Sequence, residues 1–420
     1  MRKNSVVKET KDFYYSSIDE ISDLIQQQRI LSLEIVELCL KRIEELNPTI
    51  NAFITIAANE AREQAKIADA EIKAGHWRGP LHGVPIAIKD FYDTAGIKTT
   101  AAFEHFKDRI PPKDASGVAK LKEAGAILLG KTNMHQLGMG TTGLDSYFGP
   151  VQNPWGSEYI PGGSSSGSAA AVASGMCFAT LDTDAIGSCR LPAACCGVIG
   201  FKGTYGLIDP QGILEGEEPP DEFIVWMNHP GITTRNVEDA AIMLQVLAER
   251  DQSKVEEYAS ALTRARKLQV GVANNFHADQ EVSDAFEKAL ETIRGLDYSM
   301  SNVAIPFVDP SSGIRDIEAD RKAIADKVFK EIDVLLLPTM TTTVPTVKDT
   351  GSNPQGLSPE NTAFANYYGL PAISVPCGFD THNLPFGLQI VSKPWDETTV
   401  LYVAHQFQKA TEFGMKHPIP

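Results

Sequence analysis

Apolar residues recur at helical spacing from the start of the readable pattern. Ser17-Ile-Asp-Glu20 has the form of a capping box, and Ile21, Leu24 and Ile25 follow on one face, which predicts a helix. A second amphipathic stretch, Leu33 to Leu46, gathers Ile35, Val36, Cys39, Leu40 and Ile43 on one side and is expected to end at Asn47-Pro48. Ala57 to Ala74 is alanine-rich with interleaved Glu, Lys and Asp, a third helix. At Val84 the period changes. Val84-Pro-Ile-Ala-Ile88 is a short apolar run that reads as a buried strand delivering Lys89-Asp90 at its end, and helical Gly117 to Ala124 leads into a second such run, Ala126 to Leu129. Further runs at Leu268 to Val272, Val334 to Leu337, Ala372 to Val375 and Gly387 to Val391 alternate with helical stretches at Val237 to Arg250, Ser283 to Gly295 and Thr398 to Ala410. Strands alternating with helices from end to end predict an α/β architecture. No repeat or low-complexity segment interrupts it, and the best loop candidates are Glu215 to Pro220 and Asp309 to Gly313.

Composition narrows the class. The 420 residues are 43% hydrophobic and 22% charged, enough for a large core, and 38 Lys plus Arg against 54 Asp plus Glu give a net charge of −16. A chain this acidic lacks the basic footprint of a nucleic-acid binder or an anionic membrane surface, so neither partner is expected. Met1 to Tyr15 has no apolar signal core, and no run reaches the roughly 18 apolar residues of a spanning helix, so a soluble chain is expected. Of six cysteines, Cys177, Cys189, Cys195 and Cys196 fall in one stretch of small apolar residues, which reads as reduced buried thiols and a cytoplasmic setting. The nine histidines show no zinc spacing, and no metal or cofactor is expected.

Two motifs invite false readings. Gly125-Ala-Ile-Leu-Leu-Gly-Lys131-Thr132 satisfies the phosphate-loop pattern, but its intervening residues look like a strand, where a true loop curls its amides around phosphate. Gly163-Ser-Ser165-Ser-Gly167 fits a hydrolase nucleophile elbow centred on Ser165, yet a turn, Tyr159 to Gly163, precedes it in place of the required strand. A flexible linker fails as well, because Ala169-Ala-Ala-Val-Ala173 follows at once as a packed helix.

From Pro161 to Gly206 the chain reads Pro-Gly-Gly-Ser-Ser-Ser-Gly-Ser-Ala-Ala-Ala, then Asp182-Thr-Asp-Ala-Ile-Gly-Ser-Cys-Arg190, then Leu-Pro-Ala-Ala-Cys-Cys-Gly. This resembles the amidase signature family. Gly83-Val-Pro-Ile-Ala-Ile-Lys89-Asp90, Gly130-Lys-Thr-Asn-Met134, Asn153-Pro154, Gly369 to Pro376 and Leu384 to Ile390 match further landmarks in order, over roughly residues 17 to 410. The resemblance implies one domain over residues 1–420, a single large fold with a central mixed β-sheet covered by helices on both faces. Within it a helical region would span about 17–75, a catalytic core about 80–210, and the remainder would complete the sheet and pocket.

The resemblance also assigns roles. Lys89 matches the family's lysine, Ser164 its bridging serine, usually preceded by a cis peptide, and Ser188 its nucleophile. The chemistry stands without the name, since a serine hydroxyl needs a base within reach and an amine serves near neutral pH only when burial depresses its pKa. The backbone amides of Ala185, Ile186, Gly187 and Ser188 are the expected oxyanion hole, although Ala185-Ile186 stands where Thr-Gly is common. Gly138, Met139 and Gly140 hold the position of a substrate-lining loop, with Met139 reading equally as core packing. Arg190 and Asp184 are expected to order the nucleophile turn, and His135 to be structural. The primary expectation is a free-standing hydrolase of small amides or carbamates (urethanes), a small-molecule enzyme with a possible homodimer. The alternative is the glutaminase (A) subunit of the glutamine-dependent tRNA amidotransferase. Phe223 to Pro230 and the short interval from Ala304 to Arg321 depart from that subunit's pattern.

Overall fold

A computed structural model describes residues 10–217, 222–249, 258–307 and 317–418. Both loop candidates fall partly or wholly outside the described residues. Eleven strands lie in one hydrogen-bonded sheet: β1 (Phe53–Ile56), β2 (Pro85–Lys89), β3 (Ile127–Thr132), β4 (Ala179–Asp184), β5 (Ile199–Lys202), β6 (His229–Thr234), β7 (Gln269–Ala273), β8 (Ser299–Val303), β9 (Val334–Pro338), β10 (Ala372–Phe379) and β11 (Pro385–Ser392). Their order across the sheet is β1-β3-β2-β4-β6-β5-β10-β11-β9-β7-β8. The sheet is mixed, as expected: β2 runs parallel to β3 and β4, and β7 parallel to β8 and β9, while the central pairs are antiparallel.

Helices cover both faces, and the strand period shows it directly. Along β9, Val334 and Leu336 enter one apolar cluster while Leu335 and Leu337 enter another, so all four are fully buried although they point in opposite directions. A strand buried on both sides must be apolar throughout, which is why β9 was visible as a continuous run.

The Ile18–Gln26 helix starts where expected, its Ser17 Oγ accepting from Glu20 N at 3.0 Å. The second helix departs from expectation by running through Pro48 to Ile50. A proline in the last turn removes one hydrogen bond, and local contacts offset that loss. Asn47 exchanges two bonds with the Phe53 backbone, at 2.7 and 3.1 Å, and left-handed Asn51 closes the helix by donating its N–H to Asn47 O. No helix among the described residues is long and apolar enough to cross a membrane. All six cysteines are buried and unpaired.

Candidate active site

Lys89 is the last residue of β2 and is fully buried. Its Nζ donates to three hydroxyl oxygens, Ser164 Oγ at 2.8 Å, Ser165 Oγ at 2.9 Å and Thr183 Oγ1 at 2.8 Å. Thr183 belongs to β4, the parallel neighbour of β2, so two strands bring amine and hydroxyl together at their carboxyl ends. No salt bridge reaches Lys89 among the described residues. Burial pulls the Lys89 pKa down to about 8, against an opposing pull from Asp182, Cys189 and Asp184.

The serine-rich loop reaches the amine because the helix behind it is built of small residues. Ser166–Ala173 is buried along its whole length, and a Cβ on Gly167 would lie 2.4 Å from Ala52 O and 2.5 Å from Asn133 O. Only glycine admits that approach. The Gly163-Ser164 peptide is cis. Ser165 N donates to Ser188 O at 3.0 Å, which ties the loop to the turn that follows β4.

That turn, residues 185–188, is organised by Asp184. Its carboxylate accepts from the amides of Gly187 (2.8 Å), Cys189 (3.2 Å) and Arg190 (3.3 Å) and is bridged by Arg190 Nη2 (2.9 Å) and Nε (3.0 Å). Burial alone would raise the Asp184 pKa, but the Arg190 guanidinium holds it well below the usual carboxylate range. Arg190 is itself fixed by Thr362 O, Gln389 Oε1 and Asn366 Oδ1. The Gly187 amide is thus committed to Asp184. The amides of Ala185, Ile186 and Ser188 have no acceptor among the described residues, and the Ser188 hydroxyl makes no hydrogen bond there either. Ser188 lies where a strand end, a helix start and three uncommitted donors converge.

The remaining expected residues sort clearly. A Cβ on Gly138 would sit 3.7 Å from Ser164 Oγ and 3.3 Å from the Phe91 ring, which puts this loop beside the serines. Met139 is 59% exposed and is no part of the core. Gly140 packs on the ring of His135, a buried residue whose backbone N–H donates to Ser164 O at 3.0 Å. The phosphate-loop motif is β3 itself, with Lys131 Nζ inside the protein on Tyr92 O, Thr94 Oγ1 and Thr99 Oγ1. No cluster of three or more His, Cys, Asp or Glu side chains suited to a metal occurs among the described residues. Sequence reasoning missed Thr183, Thr362, Asn366 and Gln389. Thr183 had a usable signal, a hydroxyl at a strand end five residues before Ser188, and Gln389 lay inside the Leu384 to Ile390 landmark with no role assigned to it; Thr362 and Asn366 sit more than 170 positions from Ser188 and had none.

A family model described as Amidase matches residues 34–315 and 312–401. The chain belongs to the amidase family. Among curated relatives, this amidase is 34% identical to the glutamyl-tRNA(Gln) amidotransferase (A) subunit of Carboxydothermus hydrogenoformans, over 97% of this chain and 99% of that protein. It is 33% identical to the protein of the same name from Geobacter metallireducens, over 94% and 97%. Among solved structures it resembles the protein of that name from Thermotoga maritima (TM-score 0.81, 29% identity, 97% and 98% covered) and 6-aminohexanoate cyclic dimer hydrolase in complex with substrate (0.81, 25%, 96% and 99%). These relatives correct one expectation, that of a stand-alone or homodimeric amidase with a small-molecule partner and no connection to nucleic acid. Proteins similar along their whole length are named as subunits of a glutamyl-tRNA(Gln) amidotransferase. The physical reason for the error is plain: net charge of −16 describes the surface of one chain and is silent about an RNA that another chain could hold.

Proposed function

We propose that this amidase is the amide-hydrolysing subunit of a glutamine-dependent amidotransferase, freeing ammonia from glutamine for a partner subunit. The observation that supports the chemistry is Lys89 Nζ within 2.8 Å of Ser164 Oγ, buried and free of any carboxylate bridge among the described residues. Neutral Lys89 takes the proton of Ser164, Ser164 takes that of Ser188, and Ser188 Oγ forms a bond to the amide carbon. The carbonyl oxygen gains negative charge as its double bond opens, and the uncommitted amides of the 185–188 turn, those of Ala185, Ile186 and Ser188, donate to it. The relay returns a proton to the leaving nitrogen as the C–N bond breaks, releasing ammonia. Water, deprotonated along the same path, then splits the acyl-serine ester to a carboxylic acid and restores Ser188.

Gly138, Met139 and Gly140 would line the substrate. A single domain over the whole chain is supported by the one sheet running from Phe53 to Ser392, and a reducing, cytoplasmic setting by six unpaired thiols.

One observation favours the alternative, a hydrolase of small amides or carbamates. The Carboxydothermus relative aligns over 490 residues, whereas 97% of this chain is about 407, so roughly 80 aligned positions have no counterpart here. Ammonia and amine release from glutamine, acetamide, an anilide and a urethane, with and without co-expressed partner subunits, separates the two. Glutamine turnover that rises with partners and disappears in Ser188→Ala is expected. Partner-independent urethane or anilide turnover about 100-fold above glutamine would reverse the assignment.

A further inference from the structure

The Ile186–Gly187 peptide is held at both of its polar ends. Its N–H donates to Asp184 Oδ1 at 2.8 Å, and its carbonyl accepts a short hydrogen bond from Thr362 Oγ1. Asp184 already has the rigid bridge to Arg190. The other anchor comes from a distant part of the chain, the first turn of the Glu360–Tyr367 helix.

Thr362 is built into this position. It is fully buried, its carbonyl accepts from Arg190 Nη1 at 3.0 Å, and its hydroxyl also lies 3.0 Å from Pro359 O. A Cβ on Gly187, which has φ +130°, would stand 2.4 Å from Thr362 Oγ1. The hydroxyl thus occupies space that only a glycine at 187 leaves open. The hydroxyl has one hydrogen and two carbonyl acceptors, and the shorter contact is to Ile186 O. Neighbouring Asn361 is held in the same way, its carbonyl accepting from Gln389 Nε2 at 2.7 Å, so the helix start cannot drift from the turn.

We propose that Thr362 is a positioning residue of the reaction: by pinning the Ile186 carbonyl it fixes the peptide between the Ile186 and Ser188 amides, and so the direction in which those two donors point. The claim rests on the hydrolytic role of Ser188. Without the threonine hydroxyl, the peptide keeps one anchor and can rock about it, and amide donors aimed imprecisely lose their preference for the transition state over the substrate. The loss therefore falls on kcat and on acylation, with little effect on KM.

The test uses the full chain with its co-expressed partners, and three variants: Thr362→Val, Thr362→Ser and Ser188→Ala. Two readouts serve: the rate of single labelling at Ser188 by a fluorophosphonate, followed by intact mass, and kcat and KM for glutamine. Thr362→Val is expected to slow labelling and kcat about 10- to 100-fold with KM within about twofold, while Thr362→Ser stays close to wild type. Thr362→Ala replaces the valine variant should that one fail to fold. Wild-type labelling speed in Thr362→Val, or a serine variant as slow as the valine, overturns the positioning role. Wild-type protein labelled no more than Ser188→Ala overturns it by a different route, by removing the role of Ser188 itself.

Discussion

Lys89 closes β2 and Lys131 is the last residue but one of its parallel neighbour β3; both are buried, and each has its pKa drawn down to about 8 by that burial. Lys131 is in register with Ile88, the residue before Lys89, so the pleat sends the two side chains to opposite faces of the sheet. Each amine meets three oxygens. Around Lys89 all three are hydroxyls, which can accept from an ammonium and donate to a neutral amine. Around Lys131 one is the Tyr92 carbonyl, an acceptor in every state, and Asp90 Oδ1 stands 4.0 Å away. Burial alone therefore does not make a base. A lysine can shed its proton usefully when its neighbours can take up the reversed hydrogen bond and pass a proton on, and it is a structural cation when they cannot.

Removing each amine in turn separates the two roles. Lys89→Met is expected to lower turnover at least about 1000-fold, the scale of losing the base of a serine nucleophile, while thermal unfolding stays near wild type because the three hydroxyls can satisfy one another. Lys131→Met should do the reverse. It leaves the Tyr92 carbonyl with only the longer contacts from Thr94 Oγ1 and Thr99 Oγ1, both 3.3 Å, and Asp90 without its cation, which costs about 3 kcal/mol of stability, as for other broken buried pairs, with kcat of the folded fraction within a few-fold of wild type. Chemical denaturation and steady-state ammonia release on both variants decide the matter, and equal losses of activity would erase the distinction.

How far the sequence could carry this reading follows the same physics. Lys89, Ser164 and Ser188 were marked as candidates by motif, and strands buried on both faces, such as β9, were read from their apolar runs. β4 escaped because its last residues, Asp182, Thr183 and Asp184, serve the site and break the apolar pattern. β6 escaped because His229-Pro-Gly231 reads as a turn, although its backbone pairs with both β4 and β5. Polar β8 lies at an exposed edge. Thr362 and Asn366 could not be found at all, and Gln389 was matched in a landmark without its role, since contact across more than 170 residues follows from sheet order and leaves no local trace. The −16 charge misled for the opposite reason, being a global quantity applied to a question about one partner.

The two amines also differ in how they shape the pH dependence of the rate. A base must be neutral in the free enzyme, so kcat/KM should climb about tenfold per pH unit below the Lys89 midpoint and level off above about 8. Lys131 has a pKa in the same range, so the wild-type profile cannot assign the midpoint, but Lys131→Met should keep it and thereby give it to Lys89. Thr183→Val supplies the sign. Thr183 Oγ1 accepts from the Lys89 ammonium, and removing an acceptor of the charged form disfavours that form, so the midpoint moves down. The bond to the ammonium exceeds the bond to the neutral amine by about 1 kcal/mol, which corresponds to less than about one unit. At pH 7 a larger fraction of Thr183→Val then carries a neutral amine even as its plateau rate drops. Profiles from pH 6 to 10 on the three proteins give the answer, and an upward shift in Thr183→Val would mean that the hydroxyl stabilises the neutral amine instead.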